Sequence, residues 1–314
     1  MEENHASFVK NESSVVNKLT SLLIAGSVLL LSACDGGNGQ IGQPDTSAPI
    51  LSSVTTTPSA TGELTMTVAG TDNVGITGYC FSPKSTAPLA SDACFQDSNQ
   101  KKIQITAPIA PIKIWAKDAA GNVTTTALTG PCSSAGYLAS DASTLPTVCM
   151  LTTLGELVLA LENVKAPVTT ANFLNYVKSG FYSDTVFHRI LSSFVVQGGG
   201  LTYSAGTKQY APKNPIYPAI DLEAPASTGL SNTLGTVAMA RTDAANSATS
   251  QFFINTVNNI FLDTSGGGYA VFGRVISGVS TLDALKATPV VLSPSGELSL
   301  PTSPPVIQWA VQLK

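Results

Sequence analysis

The sequence predicts a mainly β protein in which a small β-sandwich precedes a closed β-barrel with two capping helices. Two observations lead to this prediction. Short runs of alternating apolar and polar residues recur between turn-forming residues along the chain, which is the pattern of β-strands. Only two longer stretches have the period of a helix. With 314 residues, the chain has the length of about two domains.

The composition excludes several classes of protein. Hydrophobic residues make up 43% of the chain and charged residues 11%, so the chain is too apolar for a disordered protein. The net charge is -4, whereas a nucleic-acid-binding protein presents a basic surface to the phosphates. The two histidines, His5 and His188, are too few for a multi-histidine metal site. We therefore expect no metal, no other cofactor and no nucleic-acid partner.

The N-terminus has the features of an export signal. Lys10 and Lys18 precede an apolar run from residue 19 to residue 31, as in a secretory signal peptide. The run is shorter than the ~20 residues that span a bilayer. Its end, Leu-Ser-Ala-Cys, resembles a bacterial lipobox, which implies a lipoprotein signal peptide over residues 1–33 and an acylated Cys34. The alternatives are a plain signal peptide with a chance cysteine and an uncleaved anchor.

The segment after Cys34 predicts a tether. Residues 34–47 are rich in Gly, Gln and Pro, a composition typical of a flexible linker. We therefore expect an exported protein that is lipid-anchored to a bacterial membrane and faces the periplasm. On such a linker the rest of the chain is expected to be an independent monomer.

The other four cysteines predict disulfides, because export places them in an oxidising compartment. Four cysteines allow three pairings. We favour Cys80 with Cys94 and Cys132 with Cys149, since each pair closes a short local loop. The alternative is a set of free buried thiols.

Residues 48–128 form the first predicted globular unit. Alternating runs at residues 64–68 and 103–106 indicate the short strands of a β-sandwich. The run Trp-Ala-Lys-Asp-Ala-Ala-Gly-Asn-Val at residues 115–123 resembles the last strands of bacterial immunoglobulin-like modules. Such a module is expected to be a spacer, with ligand binding as the alternative. Residues 129–146 are small and polar and predict a connecting segment.

Residues 147–314 form the second predicted unit. A helical pattern runs from residue 171 to residue 180, and Thr169 or Thr170 can cap it. Strand-like runs follow, and a second short helix is predicted at residues 280–286. Many strands with two helices favour a closed barrel.

Ordered motifs in this unit resemble those of the cyclophilin family. They are FHRILSSFVVQGG at 187–199, GTVAMAR at 235–241, SATSQFFIN at 247–255, FLD at 261–263 and YAVFGRV at 269–275. The arginine after Met-Ala and the phenylalanine before Leu-Asp are similar to the proteobacterial periplasmic type. The resemblance covers residues 147–290. It implies an eight-stranded antiparallel barrel with two capping helices and peptidyl-prolyl cis-trans isomerase activity.

The resemblance also assigns a site. Arg189 matches the catalytic arginine, whose guanidinium can stabilise the pyramidal prolyl nitrogen of a twisted amide, and Phe194 and Gln197 accompany it. The positions that match the proline pocket and the substrate-backbone site are Val195, Ala240, Arg241, Gln251, Phe253, Phe261, Leu262 and Tyr269. The implied partners are proline-containing unfolded or extended polypeptides.

Other functions remain as alternatives. The first is a scaffold that binds proline segments and turns them over only incidentally, and the second is an adhesion role for the β-sandwich. A Ser-His-Asp hydrolase built on His188 is disfavoured because the chain has no G-x-S-x-G motif, and we expect His188 to be structural. The triple glycines at residues 198–200 and 266–268 match no phosphate-binding loop and predict turns.

Overall fold

The computed structural model describes residues 43–58, 64–84, 86–97, 102–105 and 111–314. The predicted signal peptide, the predicted lipidation site Cys34 and most of the predicted linker lie outside the described residues. None of the helices in the described ranges is long and apolar enough to cross a membrane.

Seven short strands build two antiparallel sheets at the start of the described chain. In order they are β1 (Ile50–Pro58), β2 (Leu64–Thr71), β3 (Ile76–Ser82), β4 (Phe95–Asp97), β5 (Lys102–Ile105), β6 (Ile112–Asp118) and β7 (Leu128–Gly130). The first sheet has the order β1-β2-β5 and the second the order β4-β3-β6-β7. Leu64 and Met66 of β2 are buried in one cluster with Tyr79 and Ile114 of the second sheet. Alternation along β2 therefore gives the two sheets a common core.

Two disulfides lie in this part of the molecule. One joins Cys80 to Cys94 and the other joins Cys132 to Cys149, which is the pairing that the local spacing favours. The second disulfide ties the chain that leaves the sandwich to the first strand that follows.

The segment at residues 129–146 is more than a plain connection. It contains helix α1 (Ser134–Ala142). Ser133 caps this helix, because its Oγ accepts a hydrogen bond of 3.0 Å from the amide of Gly136. The small polar residues that predict a loop are therefore the residues that start a helix.

The remaining chain forms a barrel. Its elements are β8 (Thr147–Thr152), β9 (Gly155–Leu161), α2 (Pro167–Lys178), β10 (Thr185–Ile190), β11 (Val195–Ser204), β12 (Gln209–Pro212), α3 (Pro225–Thr228), β13 (Thr236–Met239), β14 (Phe252–Asn255), two 3-10 turns (Ile260–Asp263 and Ser265–Gly267), β15 (Val271–Ser277), α4 (Val279–Lys286), β16 (Val290–Leu292), β17 (Leu298–Pro301) and β18 (Ile307–Gln312). Eight of these strands follow one another in the order β10-β11-β14-β13-β15-β9-β8-β18, and β12 pairs with β11 outside that path.

The two end strands of this sheet come together. The amide of Asp184 donates to the carbonyl of Ile307 at 2.8 Å, and the amide of Phe187 donates to the carbonyl of Pro305 at 3.0 Å. The barrel is therefore nearly closed. The predicted mainly β fold with an eight-stranded antiparallel barrel is confirmed.

Helix α2 begins earlier than the sequence predicts. It starts at Pro167, a residue that suits the first helical position, and Ala166 provides no side-chain cap. Thr169 and Thr170 lie inside the helix and are buried, so the prediction that one of them caps it is wrong. The carboxylate of Glu223 instead accepts hydrogen bonds from the first-turn amides, at 3.0 and 2.8 Å, where a negative charge also suits the helix dipole.

Strands β8, β9 and β18 are buried on both faces. On the inner face, Leu157 and Leu159 of β9 are buried in the same cluster as Phe173 of α2. On the outer face, Val158 and Trp309 are buried in the cluster that contains the sandwich core. The sandwich therefore packs directly on the barrel, and residues from Pro44 to Lys314 form one compact unit.

Candidate active site

A cavity of about 260 Å³ opens on the barrel surface. It is lined by Arg189, Phe194, Val195, Gln197, Ala240, Arg241, Phe253, Leu262 and Tyr269. Small-molecule pockets commonly measure about 300–1,000 Å³, so this cavity suits a single ring-sized group. Nine of the eleven residues that the sequence proposes as catalytic or substrate-binding thus lie around one space.

Strand register places the polar and apolar sides of this cavity. Arg189 on β10 faces Gln197 on β11, and Gln197 faces Phe253 on β14. The apolar side is a cluster in which Val195, Phe253 and Leu262 are buried. The guanidinium of Arg189 and this buried apolar cluster therefore border the same cavity.

The guanidinium of Arg189 is held by a residue that the motifs do not predict. Its Nε and Nη2 donate to the two carboxylate oxygens of Glu297, at 2.6 and 2.7 Å. Hydrogen bonding from Arg189 is the main cause that holds the pKa of the Glu297 carboxyl below its usual range. The same guanidinium lies 5.6 Å from the ring centroid of Phe194, within the range of a cation–π contact.

Phe261 and Gln251, the other two proposed residues, lie next to the cavity. Phe261 is 59% exposed, and its ring stacks on that of Phe194 with centroids 5.7 Å apart. Gln251 accepts a hydrogen bond of 3.0 Å from the side-chain amide of Gln197. It also lines an adjoining hollow of about 290 Å³, together with Gln197 and Arg241.

The triple glycine at residues 198–200 lies within β11, so the prediction of a turn there is wrong. A Cβ on Gly200 would stand 2.6 Å from Nε2 of Gln251. Glycine is required because the Gln251 side chain fills that space and reaches Gln197 from it.

Arg241 is bound almost entirely by backbone carbonyls. Its Nη1 donates to Thr242 at 2.8 Å, and its Nη2 donates to Gly266 at 2.6 Å and to Gly268 at 3.0 Å. Positive φ angles of 58° and 98° at these two glycines turn the loop carbonyls towards the guanidinium, a conformation that glycine adopts without strain. The guanidinium also lies 4.5 Å from the ring centroid of Tyr269.

A polar network supports the apolar side of the cavity. Asp263 accepts hydrogen bonds from the backbone and side-chain amides of Asn232, both at 2.8 Å. Asn255 donates to Asn232 at 3.1 Å, and Asn259 donates to the carbonyl of Phe194 at 2.7 Å. These bonds fix the loop of Leu262 and the backbone of Phe194. Asp263 and Asn255 of this network belong to motif segments that sequence analysis connects with the pocket, whereas Asn232 and Asn259 do not.

His188 has no carboxylate partner among the described residues. Its Nδ1 is buried and has no hydrogen-bond partner among the described residues. Burial lowers the pKa of His188 to about 4, so the imidazole is neutral near pH 7. This environment agrees with a structural histidine and does not provide the carboxylate partner that a hydrolase triad needs.

A family profile and several curated proteins match the barrel part of this chain. The sequence profile of a family described as "Cyclophilin type peptidyl-prolyl cis-trans isomerase/CLD" matches residues 147–308. Peptidyl-prolyl cis-trans isomerase A of Dickeya dadantii is 44% identical over 176 residues, which cover 55% of this chain and 87% of that protein. Peptidyl-prolyl cis-trans isomerase B of Escherichia coli is 47% identical over 137 residues, which cover 42% and 79%. An isomerase of Streptomyces antibioticus is 43% identical over 171 residues, which cover 53% and 98%.

The family profile spans the whole barrel as far as β18, and the cavity residues fall within it. The chain belongs to the cyclophilin-type peptidyl-prolyl cis-trans isomerase family.

Proposed function

We propose that this chain accelerates cis–trans isomerisation of X-Pro bonds in exported polypeptides, with Arg189 stabilising the twisted amide above the apolar cavity. The observation that carries this proposal is the position of Arg189, whose guanidinium borders a ring-sized cavity beside a buried apolar cluster. The relatives named above are isomerases by name. Their names suggest prolyl isomerisation, and the geometry of this cavity suits that reaction.

The energetic demand of the reaction is modest. An uncatalysed X-Pro bond isomerises in tens to hundreds of seconds. Raising that rate to an ordinary enzymatic 1–10³ s⁻¹ requires a barrier lower by roughly 3–7 kcal/mol. The reaction makes and breaks no covalent bond, so it requires no nucleophile.

Arg189 addresses the electronic part of the barrier. Twisting the amide breaks its resonance and leaves a lone pair on the prolyl nitrogen. A guanidinium N–H can donate to that lone pair, and a charge-assisted hydrogen bond contributes about 1.5–3 kcal/mol.

The apolar cavity supplies the rest of the effect. Val195, Phe253 and Leu262 form a buried surface on which a prolyl ring can be held while the bond before it rotates. Holding the twisted form better than the planar forms is what accelerates the reaction. The adjoining hollow, lined by Gln197, Ala240 and Gln251 among others, provides polar groups for the extended chain on either side of the proline.

Activity measurements on Arg189→Ala test this function. We expect the wild-type chain, purified in mild detergent, to accelerate isomerisation of an X-Pro peptide, and the variant to lose almost all of that acceleration while remaining folded. A folded wild-type chain without any acceleration would favour the alternative function, a scaffold that binds proline segments.

We also propose that the protein is exported and lipid-anchored through Cys34. The lipobox-like sequence supports the anchor, and two disulfides in one chain suit an oxidising compartment. In a bacterial host, Cys34→Ala should move the protein from the membrane fraction to the soluble exported fraction. Retention of the variant in the membrane would instead indicate an uncleaved anchor.

The β-sandwich is proposed to be an immunoglobulin-like spacer between this anchor and the barrel. Its three-stranded and four-stranded sheets support that assignment. Ile50 and Val74 are exposed on it. Replacing both with serine should leave binding of unfolded clients unchanged if the sandwich is only a spacer, whereas weaker binding would indicate a ligand-binding module.

A further inference from the structure

The carboxylate that binds Arg189 comes from a distant hairpin. Glu297 lies 108 positions further along the chain, immediately before β17 in the β16–β17 hairpin. The hairpin turn is itself fixed, because the amide of Ser293 donates to the carbonyl of Glu297 at 2.7 Å and the amide of Glu297 donates to Oγ of Ser293 at 3.2 Å. A φ of 84° at Gly296 allows this tight turn.

The two hydrogen bonds use one edge of the guanidinium. Nε and Nη2 of Arg189 bind the two oxygens of Glu297, which is the bidentate geometry typical of arginine with a carboxylate. Among the described residues, the guanidinium of Arg189 makes no other hydrogen bond. The N–H groups of Nη1 are therefore left for a ligand in the cavity that Arg189 lines.

The neighbouring polar side chain, Gln197, does not hydrogen-bond to the guanidinium of Arg189. Gln197 lies opposite Arg189 in the strand register, yet its amide donates to Gln251. Phe194 offers only the face of its ring, 5.6 Å from the guanidinium carbon. The direction in which the guanidinium points is therefore set by Glu297.

We propose that Glu297 is a positioning residue for Arg189: it fixes the Nε–Nη2 edge of the guanidinium so that the Nη1 edge faces the twisted prolyl amide. This inference rests on the proposed function. Arginine has a long flexible side chain with a large rotamer entropy, so a guanidinium without this contact would sample orientations that miss the prolyl nitrogen. The two side chains are 31% and 34% exposed. Replacing one of them therefore does not leave the charge of the other buried without a partner.

Separate measurement of kcat and KM tests the proposal. We expect Glu297→Ala to lower kcat about tenfold and to leave KM within about twofold, since misorientation of a reacting group reduces the rate more than it reduces binding. Glu297→Gln should recover part of kcat, because its amide oxygen still accepts one hydrogen bond from the same edge. Glu162→Gln is the matched control, since it removes the other arginine–glutamate pair, with Arg274, and should leave both constants unchanged.

A double-mutant cycle shows whether Glu297 acts through Arg189. In an Arg189→Ala background, Glu297→Ala should have no further effect on kcat. An equal loss in both backgrounds would overturn the proposal, because the effect would then come from the hairpin. An unchanged or higher kcat for Glu297→Ala alone would overturn it as well.

The same set of variants separates this proposal from the proposed function. If Arg189→Ala alone keeps full activity, the catalytic role of Arg189 fails, and the positioning role fails with it. If Arg189→Ala is inactive and Glu297→Ala is fully active, the function stands and only the positioning role fails. Thermal unfolding of each variant, followed by circular dichroism, identifies any loss of kcat that comes from misfolding.

Discussion

Two arginine–aromatic stacks border the same cavity, and they differ in what their guanidinium groups are free to do. In the Arg189 stack, Arg189 lies over Phe194, which stacks on Phe261. In the Arg241 stack, Arg241 lies over Tyr269, which meets the ring of Phe253 edge-on at 5.8 Å. Each stack thus combines one guanidinium with two aromatic rings.

The hydrogen-bond partners separate the two roles. The first guanidinium is bound along one edge by a carboxylate, and its other edge has no partner in the described chain. The second donates from Nε, Nη1 and Nη2 to the backbone carbonyls of Gly268, Thr242 and Gly266. A cation that is saturated by its own chain holds a loop in place, whereas a cation with an open edge can act on a ligand. The roles of Arg189 and Arg241 could not be distinguished from residue type and nearness to the cavity alone.

Among the substitutions that test this difference between the two stacks, Arg189→Lys should have the largest effect on activity. Lysine keeps the positive charge but lacks the planar fork that binds Glu297 and the amide at the same time. We expect kcat/KM to fall by roughly 100-fold, close to the loss of one charge-assisted hydrogen bond. The measurement is the isomerisation rate of an X-Pro peptide. Activity within twofold of the wild type would show that charge alone is sufficient and that the open edge has no special role.

The second prediction concerns His188, the neighbour of Arg189 in the chain, and the effect of acid on the free energy of unfolding. Burial lowers the pKa of folded His188 to about 4, whereas an unfolded histidine titrates near 6.5. The unfolded chain therefore binds a proton in that window that the folded chain does not. The stability provided by neutral His188 is complete above pH 6.5 and is lost as the pH falls towards 4.

We therefore expect His188→Phe to remove about 2–3 kcal/mol of the decrease in unfolding free energy between pH 7 and pH 4.5. Urea unfolding of wild type and variant at the two pH values measures it. Carboxyl groups such as Glu297 titrate in both proteins, so their contribution cancels in the difference. Identical pH dependence in the two proteins would contradict the buried, neutral state of His188.

Arg241→Ala should affect binding more than chemistry. Losing the hydrogen bonds to Thr242, Gly266 and Gly268 would free the glycine loop and the ring of Tyr269, so we expect KM to rise about fivefold and kcat to change less than twofold. The free energy of unfolding should fall by about 1 kcal/mol. Arg274→Ala is the control, because that half-exposed arginine makes one salt bridge, at 3.2 Å. A collapse of kcat at constant KM would make Arg241 the reacting group instead.

Much of this arrangement follows from the sequence because long motifs specify positions on adjacent strands. The motif at 187–199 covers most of β10 and the start of β11, and the motif at 247–255 covers β14, so the residues of these strands meet by register. Glu297 could not be predicted in this way. It is a single carboxylate in a turn, 108 residues from its partner, and such residues are most often solvated.

The contact between the sandwich and the barrel can be recognised in part from the sequence of β9, although not from composition alone. Strand β9 contains the uninterrupted apolar run Leu-Val-Leu-Ala-Leu at residues 157–161, which indicates a strand buried on both faces. One face fills the barrel and the other joins the sandwich core. The sequence does not show which residues cover the outer face of β9, because these residues, Leu64 and Met66, lie about 90 positions earlier in the chain. The same limit applies to Glu223, which caps helix α2 from 54 residues away.

Phe261 provides the smallest test of the comparison. Its ring stacks on Phe194 at an interplanar angle of 17°, but it is 59% exposed, so it should stabilise the Arg189 stack only weakly. An aromatic pair contributes about 0.5–1.5 kcal/mol, and with this exposure we expect Phe261→Ala to raise KM about twofold with kcat unchanged. Phe261→Trp keeps an aromatic surface and should restore KM. A fall in kcat for the alanine variant would mean that the stack orients Arg189 from the ring side as well, so that Glu297 is not the sole determinant of its direction.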